Sequence, residues 1–178
     1  MDSFKTLYDQ DALTQEATQG YAIPESELDQ HPELKTLHAL WYSKSQNGSI
    51  PSRKDFSMTD LKPILQNIFI YELLYEGAEI VNLKVALIGT FLTLQYGEFT
   101  GKKLSDYPDT DIVKRVFEFS RQCSLARKPL CFKVEMFSAG RPYVSAETIY
   151  CPLSSDGDKV DKIIGFSSFK NLAEKKIM

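Results

Sequence analysis

The sequence predicts an α+β fold: a five-stranded antiparallel sheet with helices on one face, preceded by an N-terminal helix. Three observations predict it. Two apolar strand segments are joined by the tight turn Glu76-Gly77, three further strand segments separated by turn residues close the chain, and one long amphipathic helix lies between the two groups. Two closely joined strands form a hairpin and a run of strands with short turns forms a meander, so the segregated helices are left to cover the sheet.

Taken in order, residues 1–28 read as a flexible arm, being polar, interrupted by Gly20 and Pro24, and without clear periodicity. A helix starts near Pro32, which suits a first helical turn, and carries Leu34, Leu37 and Trp41 on one stripe before Asn47-Gly48 stops it. A loop over 49–57 and a short helical piece over 60–65 lead into a strand over 68–75. That strand is apolar on both sides, with Phe69, Tyr71 and Leu73 on one and Ile68, Ile70 and Leu74 on the other. A half-solvated strand would alternate, so both faces of the sheet are expected to be covered here, by the N-terminal helix, a second subunit, or both.

The partner strand covers 80–88, Gly89-Thr90 ends it, and a short helix over 91–96 closes at Gly97. The long helix over 110–127 shows Ile112, Val116, Phe119, Cys123 and Ala126 at steps of four, three, four and three. Acidic residues open it and Arg127, Lys128 and Pro129 close it. Strands follow at 132–136, where Phe132, Val134 and Met136 alternate with Lys133 and Glu135, then at 143–153 and 163–169. Residues 29–171 thus form one domain, with 172–178 as a polar tail.

Composition excludes several classes. A net charge of −3 with no basic cluster larger than Lys175-Lys176 gives no footprint for nucleic acid. Residues 1–19 are polar and do not read as a secretory leader, and no apolar run has the length of a membrane span. The three cysteines, Cys123, Cys131 and Cys151, are odd in number and lack a CxxC, as expected of buried thiols in a cytoplasmic protein.

The motifs in sequence carry a resemblance. Trp41-Tyr42 is followed by Ile50-Pro51-Ser52-Arg53-Lys54-Asp55-Phe56, by Leu87-Ile88-Gly89-Thr90, and by Phe99-Thr100-Gly101-Lys102-Lys103-Leu104. Glu147-Thr148-Ile149-Tyr150-Cys151-Pro152-Leu153-Ser154 and Ile163-Ile164-Gly165-Phe166 complete the set. Together they resemble a stand-alone PAS-like family of bacteria, over about residues 33–170. One departure stands out: the family's usual Arg before the Gly-Thr step is replaced by Ala86. The resemblance implies a PAS fold and either a small-molecule pocket between sheet and helices or pairing with other proteins through the sheet. Fold alone does not decide between them.

His31 and His38 are the only histidines, too few for a zinc site, and no histidine follows residue 38 to hold a haem. Residues 91–99 hold no cysteine for a flavin adduct, and no nucleophile motif is present. Haem, flavin adduct and zinc are therefore not expected, the cofactor stays unassigned, and an enzyme is the least favoured class. Phe91, Tyr96, Phe99, Val116, Phe119, Phe132, Val134 and Met136 are candidates to line a pocket, though close packing favours their filling the core. Glu147 is a polar candidate for that pocket, able to accept hydrogen bonds from a ligand or from Arg141 across a turn, though a structural ion pair on the sheet is the favoured reading. Leu34, Leu37, Trp41, Phe69, Tyr71 and Leu73 are candidates for an interface, including one between two copies of the chain. The expected function is a signalling module that binds a small apolar or mixed-polarity ligand, or a regulatory partner protein, with output in trans. The alternative is a ligand-free scaffolding dimer.

Overall fold

The computed structural model describes residues 20–136 and 144–171. Six antiparallel strands form one sheet: β1 (Gly20–Ile23), β2 (Ile68–Glu76), β3 (Glu79–Ile88), β4 (Leu130–Met136), β5 (Val144–Leu153) and β6 (Lys162–Asn171). Their order across the sheet is β1-β4-β5-β6-β2-β3. The helices are α1 (Pro32–Lys44), α2 (Met58–Leu61), α3 (Thr90–Tyr96) and α4 (Thr110–Ala126), with short 3-10 turns between them.

The five strands expected from sequence are joined by a sixth. β1 falls in the segment read as an arm and pairs with β4, Ala22 opposite Phe132 and Ile23 opposite Cys131. Four residues that begin at Gly20 and are followed by Pro24 show no period of their own; the open edge of β4 is what makes them a strand. The rest of that arm, 1–19, lies outside the described residues.

β5 shows how the sheet is layered. Successive side chains of a strand point to opposite faces. Thr148 and Tyr150 belong to the face under α3 and α4, while Glu147, Ile149 and Cys151 belong to the face under α1. α1 buries Leu34, Leu37 and Trp41 against β5 and β6, each worth roughly 1.5–3 kcal/mol by removal from water. This explains the doubly apolar β2: Ile68 and Ile70 are buried on the α1 side, and Phe69 on the α4 side.

The sequence motifs turn out to be closures of the backbone. Ser52 accepts from Lys54 N–H while its own N–H bonds the Asp55 carboxylate at 2.7 Å, and Ser57 and Asp60 repeat the device. Ser154 N–H donates to Pro51 O at 3.0 Å, and its hydroxyl donates to Lys159 O, so the two motifs clasp each other. Gly89 has its own reason: a Cβ there would sit 2.4 Å from the carbonyl oxygen of Gln66. Its N–H donates to Ile68 O at 2.7 Å, which locks the end of β3 onto the start of β2.

Candidate functional site

Between the sheet and α4 lies a cavity of about 80 Å³ measured for the centre of a water-sized sphere. About 10–15 Å³ on that measure holds one water, so this space takes a small organic molecule. The sheet supplies Phe69 and Tyr71 from β2, Val85 and Ile88 from β3, Val134 from β4, Ala146, Thr148 and Tyr150 from β5 and Ser167 from β6. α4 supplies Ile112, Arg115, Val116 and Phe119, and α3 supplies Leu92 and Tyr96. Phe99, Leu104 and Tyr107, from the segment between the two helices, complete the lining.

Its walls are set by ring packing. Phe119 stacks on Phe132 at 3.8 Å between centroids, and Tyr150 meets both edge-on at 5.8 Å. Phe69 stacks on Tyr71 at 4.6 Å and tilts against Tyr150 at 5.2 Å. Such pairs hold ring orientation beyond the effect of area alone.

Polar groups are few and grouped. Thr148 Oγ1 and Ser167 Oγ, both buried, are 2.9 Å apart and share one hydrogen bond. Tyr107 donates its hydroxyl to the backbone oxygen of Tyr96 at 3.2 Å. Burial pushes the Tyr71 and Tyr150 hydroxyls well above their ordinary range, and pushes Tyr96 up to about 12 despite the opposing charge of Arg115. All three remain neutral O–H groups at physiological pH.

A mainly apolar pocket with a handful of convergent polar groups, set between an antiparallel sheet and a crossing helix, is one of the two arrangements the resemblance implied, the other being pairing through the sheet. The PAS domain family model matches residues 29–168. The chain belongs to the PAS domain family. No curated protein matches it. Among solved structures, one described as an RNA-binding light-oxygen-voltage receptor is similar with a TM-score of 0.39 and 10% identity. That likeness covers 89% of this chain, which spans 40% of the other.

Within this PAS domain, five of the expected pocket residues do line the cavity: Tyr96, Phe99, Val116, Phe119 and Val134. Phe132 backs Phe119 and borders instead a second cleft, of about 310 Å³, with Cys131, His38 and Lys128. Phe91 packs on Phe169 at 5.7 Å and is not part of the lining. The side chain of Met136 lies outside the described residues.

Glu147 requires a correction. It lies on the opposite face of the sheet from the cavity, bonded by Lys170 Nζ at 3.1 and 3.2 Å and facing His31 Nδ1 at 2.9 Å. Strand alternation dictates this, because Thr148 and Ala146 on either side of it point into the cavity. Its suggested partner Arg141 lies outside the described residues. Burial pushes the Glu147 carboxyl up, but His31 and Lys170 together outweigh that and hold it below the usual carboxylate range.

The residues proposed for an interface are interior. Leu34 and Leu37 are fully buried and Trp41 is 3% exposed, all under α1. Leu73 is buried in β2, and Phe69 and Tyr71 face the cavity. None of the six offers an exposed surface to a second copy. Sequence reasoning missed Arg115, Tyr150, Thr148 and Ser167. Arg115 had a signal, since it stands three residues after Ile112 and four before Phe119, inside the apolar stripe of α4. Among the described residues no group of three His, Cys, Asp or Glu side chains is placed to hold a metal. No described helix is long and apolar enough to cross a membrane.

Proposed function

We propose that this PAS-family chain is a sensory or signalling module that binds a small, mainly apolar molecule in the cavity between sheet and α4, without catalysis, and that other proteins read the bound state. The observation that carries this reading is the cavity itself. Protein interiors pack as densely as organic crystals, and a space of about 80 Å³ left between side chains costs stability that a bound molecule would recover. A purely scaffolding domain has no use for such a space. The three free, buried thiols suit a reducing compartment, and we place the module in the cytoplasm on that basis.

The test is native mass spectrometry on freshly purified protein, beside the cavity-filling variant Ala146→Leu. Ala146 is buried on the cavity floor. The expected result is additional mass on the native wild type that denaturation releases, and its loss in the variant at unchanged circular dichroism. Bare mass on the wild type, together with an Ala146→Leu protein that is more stable and unaltered in partner binding, would return the chain to the scaffolding reading.

A further inference from the structure

Among the described residues, Arg115 is the one charged side chain that lines this mainly apolar cavity, and it is half-buried. It shares that lining with Tyr96 and Tyr150, and its charge acts on both of their hydroxyls. Among the described residues that line the cavity none is acidic. Around Arg115 the tyrosine hydroxyls stay protonated and can donate, and the bonded Thr148–Ser167 pair keeps one O–H and further lone pairs for a guest. The remainder of the wall is rich in rings, among them Phe69, Phe99 and Phe119.

We propose that the cavity selects a small carboxylate on a flat apolar body, an arene carboxylic acid being the simplest case, with Arg115 as its counter-ion. This rests on the ligand-binding reading above and names the class of ligand. A guanidinium has five N–H donors in a fixed fork that matches a carboxylate two bonds at a time, and it can do so while keeping a contact elsewhere. A buried carboxylate is tolerable only when paired and hydrogen-bonded, and Arg115 with the tyrosine hydroxyls meets both needs. A phosphate monoester fits less well, because its second negative charge would meet no second cation in the lining. The flat body would lie among the rings at the volume the cavity allows.

The experiment compares benzoate with benzyl alcohol, a neutral probe of nearly the same shape, by amide-resolved NMR titration of the full chain at neutral pH. Wild type, Arg115→Met and Ala146→Leu are titrated in parallel. Saturable benzoate binding at least about tenfold tighter than benzyl alcohol is expected in the wild type, since a site built for a polar group rejects the analogue lacking it. Arg115→Met is expected to abolish that preference while retaining benzyl alcohol, and Ala146→Leu to weaken both probes. Arg115→Lys, which keeps the charge and loses the fork, should fall between wild type and Met. Equal binding of the two probes to wild type, or an undiminished preference in Arg115→Met, overturns the carboxylate assignment and leaves the cavity reading standing. Failure of both probes to bind wild type, or binding indifferent to Ala146→Leu, overturns the cavity reading as well. The wild-type comparison decides even if Arg115→Met does not fold.

Discussion

Trp41 donates its indole N–H to the carbonyl oxygen of Pro152 at 2.7 Å, across 111 residues of chain. The bond anchors α1 to the C-terminal end of β5. Trp41→Phe removes the donor and part of the ring, and leaves a buried carbonyl without this partner. A loss of roughly 1–3 kcal/mol is expected in urea unfolding. A midpoint unchanged from wild type would mean that α1 is not held in this way.

The face under α1 accounts for a second prediction. Deleting residues 1–47 removes β1 and α1 together and uncovers Ile68, Ile70, Ile149 and Ile164, all buried in the intact chain. The truncated protein is expected to aggregate or self-associate, because a contiguous apolar face of that kind seeks cover. Size-exclusion chromatography decides it. A monomer as stable as the full chain would contradict the layering described above.

Glu147 predicts a pH dependence. Its folded-state pKa is depressed below the ordinary 4.5, so its ionised form is favoured by folding. The stability it contributes is fully present above about 4.5 and is lost as pH falls through the lower folded value. Glu147→Gln should therefore flatten the acid limb of stability against pH. At neutral pH it should cost roughly 1–3 kcal/mol, since the buried bonds to Lys170 weaken. An acid limb identical in the two proteins would remove Glu147 from the account.

How much of this was legible in sequence follows from what the motifs do. The Ser52–Asp55 box, the Ser154 clasp and Gly89 are local backbone devices with fixed residue requirements, so they identify the fold. They say nothing of a ligand, because none of them lines the cavity. Spacing on α4 was enough to place Val116 and Phe119, but a stripe read only for apolar residues passes over Arg115. β1 was illegible because its partner β4 imposes it. Glu147 is a sheet ion pair with Lys170 and His31 and no part of the pocket, because the period-two rule sends it to the face opposite Thr148.

Gly165 is in β6, opposite Phe69 on β2 and Tyr150 on β5. A Cβ built there would come 2.0 Å from Phe69 Cζ and 2.7 Å from the backbone oxygen of Ile149. The ring of Phe69 must therefore lie flat over the glycine, and that position shapes the cavity floor. Gly165→Ala would drive the ring into the cavity at a cost of roughly 1–3 kcal/mol. Urea unfolding reads the cost, and shifted aromatic resonances of Phe69 read the displacement. An alanine accepted at full stability with an unmoved ring would refute the close approach.

The thiols give a prediction that needs no variant to begin. Reaction with a disulfide reagent requires thiolate and access. Burial raises Cys123 and Cys151 well above their ordinary range, and burial with the nearby Glu25 carboxylate pushes Cys131 up to about 12. Cys123 is further tied down by donating to Tyr150 O at 3.3 Å. At pH 8 the native protein should thus titrate almost no thiol over minutes, while the denatured chain titrates all three. Reaction should proceed at the rate of local opening, and Cys131 should react first because it borders the second cleft. Cys131→Ser would then leave the remaining two silent until unfolding. Fast native reaction of Cys123 or Cys151 would place them at the surface and contradict the packing of α4 and α1 on the sheet.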